Sequence, residues 1–145
     1  MLHSVKYKAF VVTEDPKEKG LRKILNAGHT IGHAVESFLL ASNNKVLHGE
    51  AIAAGLIAET RIAVTRRFLD EASFGEIASY LLKIYGKLNL PEEKLANIAQ
   101  LTLQDKKNKD NKILCVLLNG IGNALLDCEI SLEEVIDALK FYRSL

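Results

Sequence analysis

The sequence has only two cysteines, no apolar run long enough to cross a bilayer and almost no net charge, and each shortage closes off a class of function. Cys115 and Cys128 are too few for a disulfide framework. Both sit in apolar runs, where a reduced thiol acts as a small hydrophobe, so the expected setting is a reducing, cytoplasmic one. No stretch approaches the roughly 20 apolar residues of a membrane span, and the start MLHSVKYKAF lacks the apolar segment of a signal peptide. With 19 basic against 18 acidic side chains the formal charge is +1, so no whole-molecule field attracts nucleic acid or a membrane surface. Neither is an expected partner, whereas a small anion gripped by a local cluster remains open. Repeats and low-complexity tracts are also absent.

What is present is an ordinary globular composition, 48% apolar and 26% charged over 145 residues, enough for one compact domain with a core. Residues 3 to 13 are ambiguous: Val5, Tyr7, Ala9 and Val11 alternate as in a strand, yet Val5, Ala9 and Val12 share one helical face. EDPKEKG then reads as a turn or cap region. From Leu25 onward Ile31, Ala34, Val35, Phe38 and Leu39 recur at helical spacing, with His29, His33 and Glu36 on the opposite side. ASNNK ends that helix, and HGEAIAAGLIAETRIAVTRRFL begins another. This second helix is apolar around most of its first four turns, which places it in the middle of the domain. Further helices are expected at about 73 to 87 and at 91 to 103, the latter opened by Pro91 with Glu92 and Glu93 in its first turn. KILCVLLN and NALLDCEI, joined through GIG, read as a small β-hairpin, and Ser131 with Glu134 forms a capping box that starts a closing helix. The fold class expected is mainly α, a multi-helical domain with a small β-hairpin near the C-terminus.

His29 and His33 stand one helical turn apart with their rings on one side, a spacing that helical zinc sites use. Taken alone, such a pair is more often two histidines hydrogen-bonded at a helix surface or interface than a metal site. Gly28 and Gly32 beside them mark close approach of a ligand or of backbone, since glycine within a helix costs about 1 kcal/mol against alanine. His48 and Glu50 open the buried helix, and three of the four histidines thus fall between residues 29 and 48. That concentration favours one shared site. Lys8, Arg22 and Asn26 precede the histidines, and the two cations could clamp a phosphate or carboxylate. Lys106 and Lys107, with Lys109 and Lys112 nearby, form another candidate anion clamp in a charged loop.

The order and spacing of these pieces resemble the C-terminal domain of the 3-dehydroquinate synthases, within the sugar-phosphate cyclases. The pieces are KAFVV from Lys8; the run through Asp15, Glu18, Gly20, Leu21, Arg22, Leu25 and Asn26 into GHTIGHAVE; HGEA from His48; and DKK from Asp105. The resemblance covers essentially the whole chain. It implies that residues 1–145 form a single metal- and substrate-binding helical domain, with residues 3 to 14 helical. An N-terminal, Rossmann-like NAD-binding domain normally precedes it and is absent from this sequence, which has no glycine-rich dinucleotide fingerprint.

The same resemblance implies a divalent metal, zinc or cobalt, held by His29, His48 and a glutamate from the missing part. His33 is then left off the metal for proton transfer, with Glu18 as a second acid/base group. Lys8, Arg22 and Asn26 match substrate-binding positions, as does one of Lys106 and Lys107. The implied reaction, in the shikimate pathway of aromatic amino acid (chorismate) biosynthesis, is a lyase reaction. It takes 3-deoxy-D-arabino-heptulosonate 7-phosphate to 3-dehydroquinate and phosphate, by transient oxidation with NAD, β-elimination, reduction, ring opening and aldol closure. Two departures are Ala27, where the family often has Phe or Leu, and Pro16 in place of an acidic residue. Neither removes a ligand.

Residues 1–145 alone are expected to be inactive, to bind metal weakly unless water, Glu50 or a neighbouring molecule completes the site, and to be open to homo-oligomer formation through apolar surface left uncovered. The alternatives are a sibling cyclase of the inosose or valiolone type, or a stand-alone helical binding module. A natural start at Met1 would favour the module.

Overall fold

The computed structural model describes residues 2–104 and 112–145. Lys106 and Lys107 lie outside the described residues. The opening segment is a helix, α1 (Leu2–Glu14), so the alternation of Val5, Tyr7, Ala9 and Val11 serves no sheet. Val5, Tyr7 and Phe10 stay exposed, and Val11 is the buried side chain by which α1 meets the rest.

Two helices make the centre, α2 (His29–Ala41) and α3 (His48–Thr65). Alanine-rich α3 is buried along most of its length, with Ala51, Ala54, Ile57, Ala58, Ile62 and Ala63 inside the core. Burying each isoleucine contributes about 1.5 to 3 kcal/mol, and the alanines add helix propensity while letting neighbours come near. At Gly28, Gly32 and Gly55 the approach becomes contact of main chain on main chain. A Cβ built on Gly55 would lie 2.2 Å from the Gly28 carbonyl oxygen and 2.3 Å from the Gly32 nitrogen. The glycines around the histidines therefore answer to backbone, and the facing Gly55 completes the contact.

The first helical turn also differs from the expectation that α2 runs on from Leu25. Leu21–Asn26 form a separate 3-10 turn, and Gly28 sits in the left-handed region at φ 79°, where a helix cannot continue. Consequently His29 is the first residue of α2, and the N–H groups of this helix start need acceptors from outside the helix.

The remaining elements cover this pair. Helix α4 (Glu71–Tyr85) starts earlier than its periodicity predicts, because the Asp70 carboxylate accepts the Ser73 N–H at 2.8 Å and caps it there. The helix expected over 91 to 103 is divided: Pro91 precedes a 3-10 turn at Glu92–Lys94, then α5 (Leu95–Leu101), then a second turn at Thr102–Gln104. Strands β1 (Ile113–Leu118) and β2 (Ala124–Ile130) pair antiparallel, with Gly120 and Gly122 at positive φ in the connection. Pairing steps from Cys115 with Cys128 to Leu117 with Leu125, so β2 carries one extra residue, and Asp127 at φ 52° takes up the bulge. Cys115 and Cys128 are both free thiols. Helix α6 (Leu132–Ser144) packs Val135, Ala138, Leu139 and Tyr142 into the core, where the Tyr142 hydroxyl accepts the Leu88 N–H at 2.8 Å. Among the described residues no helix is long and apolar enough to cross a membrane.

The capping box at the start of α6 doubles as an ion-pair site. The Ser131 hydroxyl accepts the Glu134 N–H at 3.1 Å, and the Glu134 carboxylate accepts the Ser131 N–H and two bonds from the Arg66 guanidinium at 2.7 and 2.8 Å. Arg66 holds the Glu134 carboxyl below the usual carboxylate range. A lowered folded-state pKa stabilises the fold at neutral pH, and that contribution disappears as pH falls through the lowered value. Glu134→Gln is therefore expected to lower the urea midpoint at pH 7 and to converge on the parent in acid. A gap that stays constant with pH would refute this.

Candidate metal and substrate site

Three imidazoles from two helices meet beside the glycine contact. His29 and His33 come from the first turns of α2 and His48 from the first residue of α3, and one nitrogen of each lies within 4.8 Å of the others. Their ring centroids are 5.2 to 5.7 Å apart. His29 is half-buried, while His33 and His48 are exposed, in line with their place off the apolar stripe of α2.

The hydrogen bonds of two rings decide their tautomers. His48 Nδ1 lies 3.1 Å from the Glu36 carboxylate and His29 Nδ1 lies 3.1 Å from the Ala27 carbonyl oxygen. Neither oxygen has a hydrogen to give, so each Nδ1 must carry the proton, and in the neutral ring Nε2 bears the lone pair. A divalent cation needs such lone pairs, and the donor set fits zinc or cobalt. His33 differs: among the described residues neither of its nitrogens makes a hydrogen bond, and its ring meets His29 edge-on. Glu50 is occupied elsewhere, its carboxylate accepting the Leu47 N–H at 2.8 Å as the cap of α3. Among the described residues it is not one of the groups clustered with the three histidines.

Sequence reasoning passed over the group that fixes the start of α2. Glu59 on α3 is only 1% exposed, and its carboxylate accepts the Gly28 N–H at 2.6 Å and the Ile31 N–H at 3.1 Å. A glutamate inside an otherwise apolar helix face was the available signal.

A second set of residues surrounds a cavity of about 510 Å³ between the 3-10 turn at Leu21–Asn26 and the hairpin, lined by Glu18, Lys23, Asn26, Thr30, Cys115 and Asp127 among others. The size suits a small metabolite. Asn26 donates to the Glu18 carboxylate at 2.7 Å, and Glu18 holds φ 52°, a left-handed value that costs a non-glycine residue about 1 kcal/mol or more. The loop is organised by Asp15, whose carboxylate accepts the N–H groups of Lys19, Gly20 and Arg22 at 3.0, 2.7 and 3.1 Å. Those backbone donors hold the Asp15 carboxyl below its ordinary value. Across the cavity Lys23 pairs with Asp127, which the β2 bulge presents. Neither residue was singled out from sequence, and Asp127 is too distant along the chain for any spacing to show the pairing.

The structure thus brings together Glu18 with Asn26, and His29 with His33 and His48. Lys8 and Arg22 are not among the residues lining the cavity: Lys8 is on an exposed part of α1, and the Arg22 guanidinium donates to the Pro16 carbonyl oxygen at 3.1 Å.

Comparison with known proteins gives these residues a family. The 3-dehydroquinate synthase C-terminal family profile matches residues 1–108. A 3-dehydroquinate synthase of Parabacteroides distasonis is 34% identical over 140 residues, which is 97% of this chain and 40% of that enzyme. One from Leptospira interrogans serovar copenhageni is 40% identical over 136 residues, covering 94% of this chain and 37% of the enzyme. Among solved structures, a 2-deoxy-scyllo-inosose synthase complexed with carbaglucose-6-phosphate, NAD+ and Co2+ superposes with a TM-score of 0.77 at 27% identity, over 97% of this chain and 38% of that one. A 2-epi-5-epi-valiolone synthase from Streptomyces hygroscopicus subsp. jinggangensis, with NAD+ and Zn2+ bound, shares the fold at a TM-score of 0.77 and 22% identity, over 98% and 39% of the two chains. The chain spans about two fifths of the length of these relatives. Its match to the family profile contains every clustered histidine, and the chain belongs to the 3-dehydroquinate synthase C-terminal family.

Proposed function

We propose that the chain is the metal- and substrate-binding part of a 3-dehydroquinate synthase, which converts 3-deoxy-D-arabino-heptulosonate 7-phosphate to 3-dehydroquinate and phosphate in the shikimate pathway. The observation that carries this reading is the family match over residues 1–108, which contains three imidazoles gathered within 4.8 Å. NAD+ is present in both of the solved cyclase structures and is assigned on this reading to a part of the protein outside the match, since this chain carries no dinucleotide fingerprint.

His29 and His48 would hold a divalent ion, zinc or cobalt. When bound, the ion supplies Lewis-acid polarisation of substrate oxygen. His33, with both nitrogens uncommitted to other described residues, is the group that accepts and returns a proton. Glu18 is the second acid/base group, and the Asn26 amide orients it at the edge of the cavity. Arg22 and Lys8 supply cations for the substrate's phosphate and carboxylate, with Lys106 or Lys107 a further one.

Zinc titration of the chain and three variants separates the histidine roles. His29→Ala and His48→Ala are each expected to weaken binding at least ~100-fold, since either leaves a single tautomer-fixed ligand. His33→Ala is expected to stay within about threefold of the parent. An equal loss in all three would make His33 a ligand and remove its proton role. For the reaction itself, the chain alone should release no phosphate with NAD, zinc and substrate present. Joined to the unmatched part of the Parabacteroides enzyme, it should do so. Turnover instead with the sugar phosphates used by inosose or valiolone synthases would place it with those siblings.

A further inference from the structure

We infer that Glu36 is a positioning residue for the metal, acting through His48. The inference rests on the reading of His48 as a ligand and adds the group that makes it one. Glu36 lies on α2, two turns beyond His29 and one beyond His33, so all three share a face of that helix. From there its carboxylate reaches across to α3 and meets His48 Nδ1 at 3.1 Å. The Glu36 side chain is 23% exposed and that of His48 56% exposed. Packing therefore leaves the His48 ring room to rotate, and the carboxylate is what restrains it.

The consequence concerns both tautomer and direction. A histidine in water places its proton mainly on Nε2, the nitrogen that has to be bare to bind metal here. A carboxylate accepts hydrogen bonds and cannot donate them, so Glu36 draws the proton to Nδ1 and turns Nε2 toward His29 and His33. His29 receives the same service from the Ala27 carbonyl, a backbone group that mutation cannot remove. Outer partners of metal-bound imidazoles commonly act in this way, and their loss weakens binding about 10- to 100-fold. Glu36 also ties α2 to α3 at the one ligand contributed by α3, so the two halves of the site hold their spacing before an ion arrives.

Nitrogen-15 NMR of the histidine rings, together with cobalt titration followed by visible absorption, tests this on the parent, Glu36→Ala, Glu36→Gln and His48→Ala. In the metal-free parent His48 is expected to show the Nδ1–H form. Glu36→Ala is expected to move it to the Nε2–H form and to weaken cobalt binding at least ~10-fold, with helical circular dichroism unchanged. Glu36→Gln keeps an acceptor oxygen and should restore most of both signals. An unchanged tautomer and affinity in Glu36→Ala would overturn the inference, as would an equal loss in Glu36→Gln and Glu36→Ala. If the parent fails to bind cobalt, or binds it as well after His48→Ala, the metal reading itself falls. The tautomer measurement still decides the role of Glu36.

Discussion

A single methyl group placed at Gly55 is expected to remove more than ~3 kcal/mol of stability, beyond the usual range for an overpacked core. The reason is what the new Cβ would meet: the carbonyl oxygen of Gly28 at 2.2 Å and the nitrogen and Cα of Gly32 at 2.3 and 2.6 Å. These are main-chain atoms with no rotamer to change, so α2 and α3 must part. With a total stability of roughly 5 to 15 kcal/mol for a domain, much of the margin goes. The same substitution at Gly75 is the control. Gly75 lies in α4 with nothing within 4 Å of its built Cβ, so Gly75→Ala is expected to gain about 0.5 to 1 kcal/mol from helix propensity. Urea unfolding of the two variants checks both signs. Equal behaviour would mean that the helices can separate without penalty. Zinc affinity should fall in Gly55→Ala as well, because His48 rides on α3 and the other two histidines on α2.

Removing the buried carboxylate of Glu59 is the second large effect. Glu59→Ala leaves the N–H groups of Gly28 and Ile31 without that acceptor, in a place that water reaches poorly, and opens a cavity the size of the lost side chain. Each buried unpaired donor costs about 1 to 3 kcal/mol, so a loss of about 3 kcal/mol or more is expected. Glu59→Gln tests whether charge or shape matters. The amide retains one acceptor but turns its NH2 group toward the other donor, so about half the loss should remain. The damage is directional, because those two N–H groups flank His29 at the first turn of α2. Hydrogen exchange should therefore rise first at residues 28 to 32 and less at the far end of the helix. Uniform loosening would show that Glu59 acts on the core in general.

The sequence made some of this legible and hid the rest for identifiable reasons. The all-round apolar pattern of α3 announced its central place, and the two short apolar runs joined through GIG announced the hairpin. The boundary of α2 was not legible, since Leu25 sits at helical spacing although Gly28 breaks the helix. Only the left-handed φ of Gly28 shows it. Pro91 marks a start, but the segment beyond it is a short helix between two 3-10 turns, a division that periodicity cannot resolve. At the site, the histidines could be gathered by their motifs. Glu59 and Asp127 could not, because each acts through a contact with residues far from it in the chain.

The two parts of the site also differ in when they can form. His29, His33 and His48 belong to consecutive helices joined by residues 42 to 47, so closing that short loop is enough to bring the imidazoles together. The cavity wall needs Lys23 to find Asp127, a partner 104 residues away on a strand that must first pair and bulge. Loop-closure entropy delays such distant contacts during folding. The histidine cluster therefore closes at the smaller entropic cost, whereas the cavity wall needs a contact with the last third of the sequence.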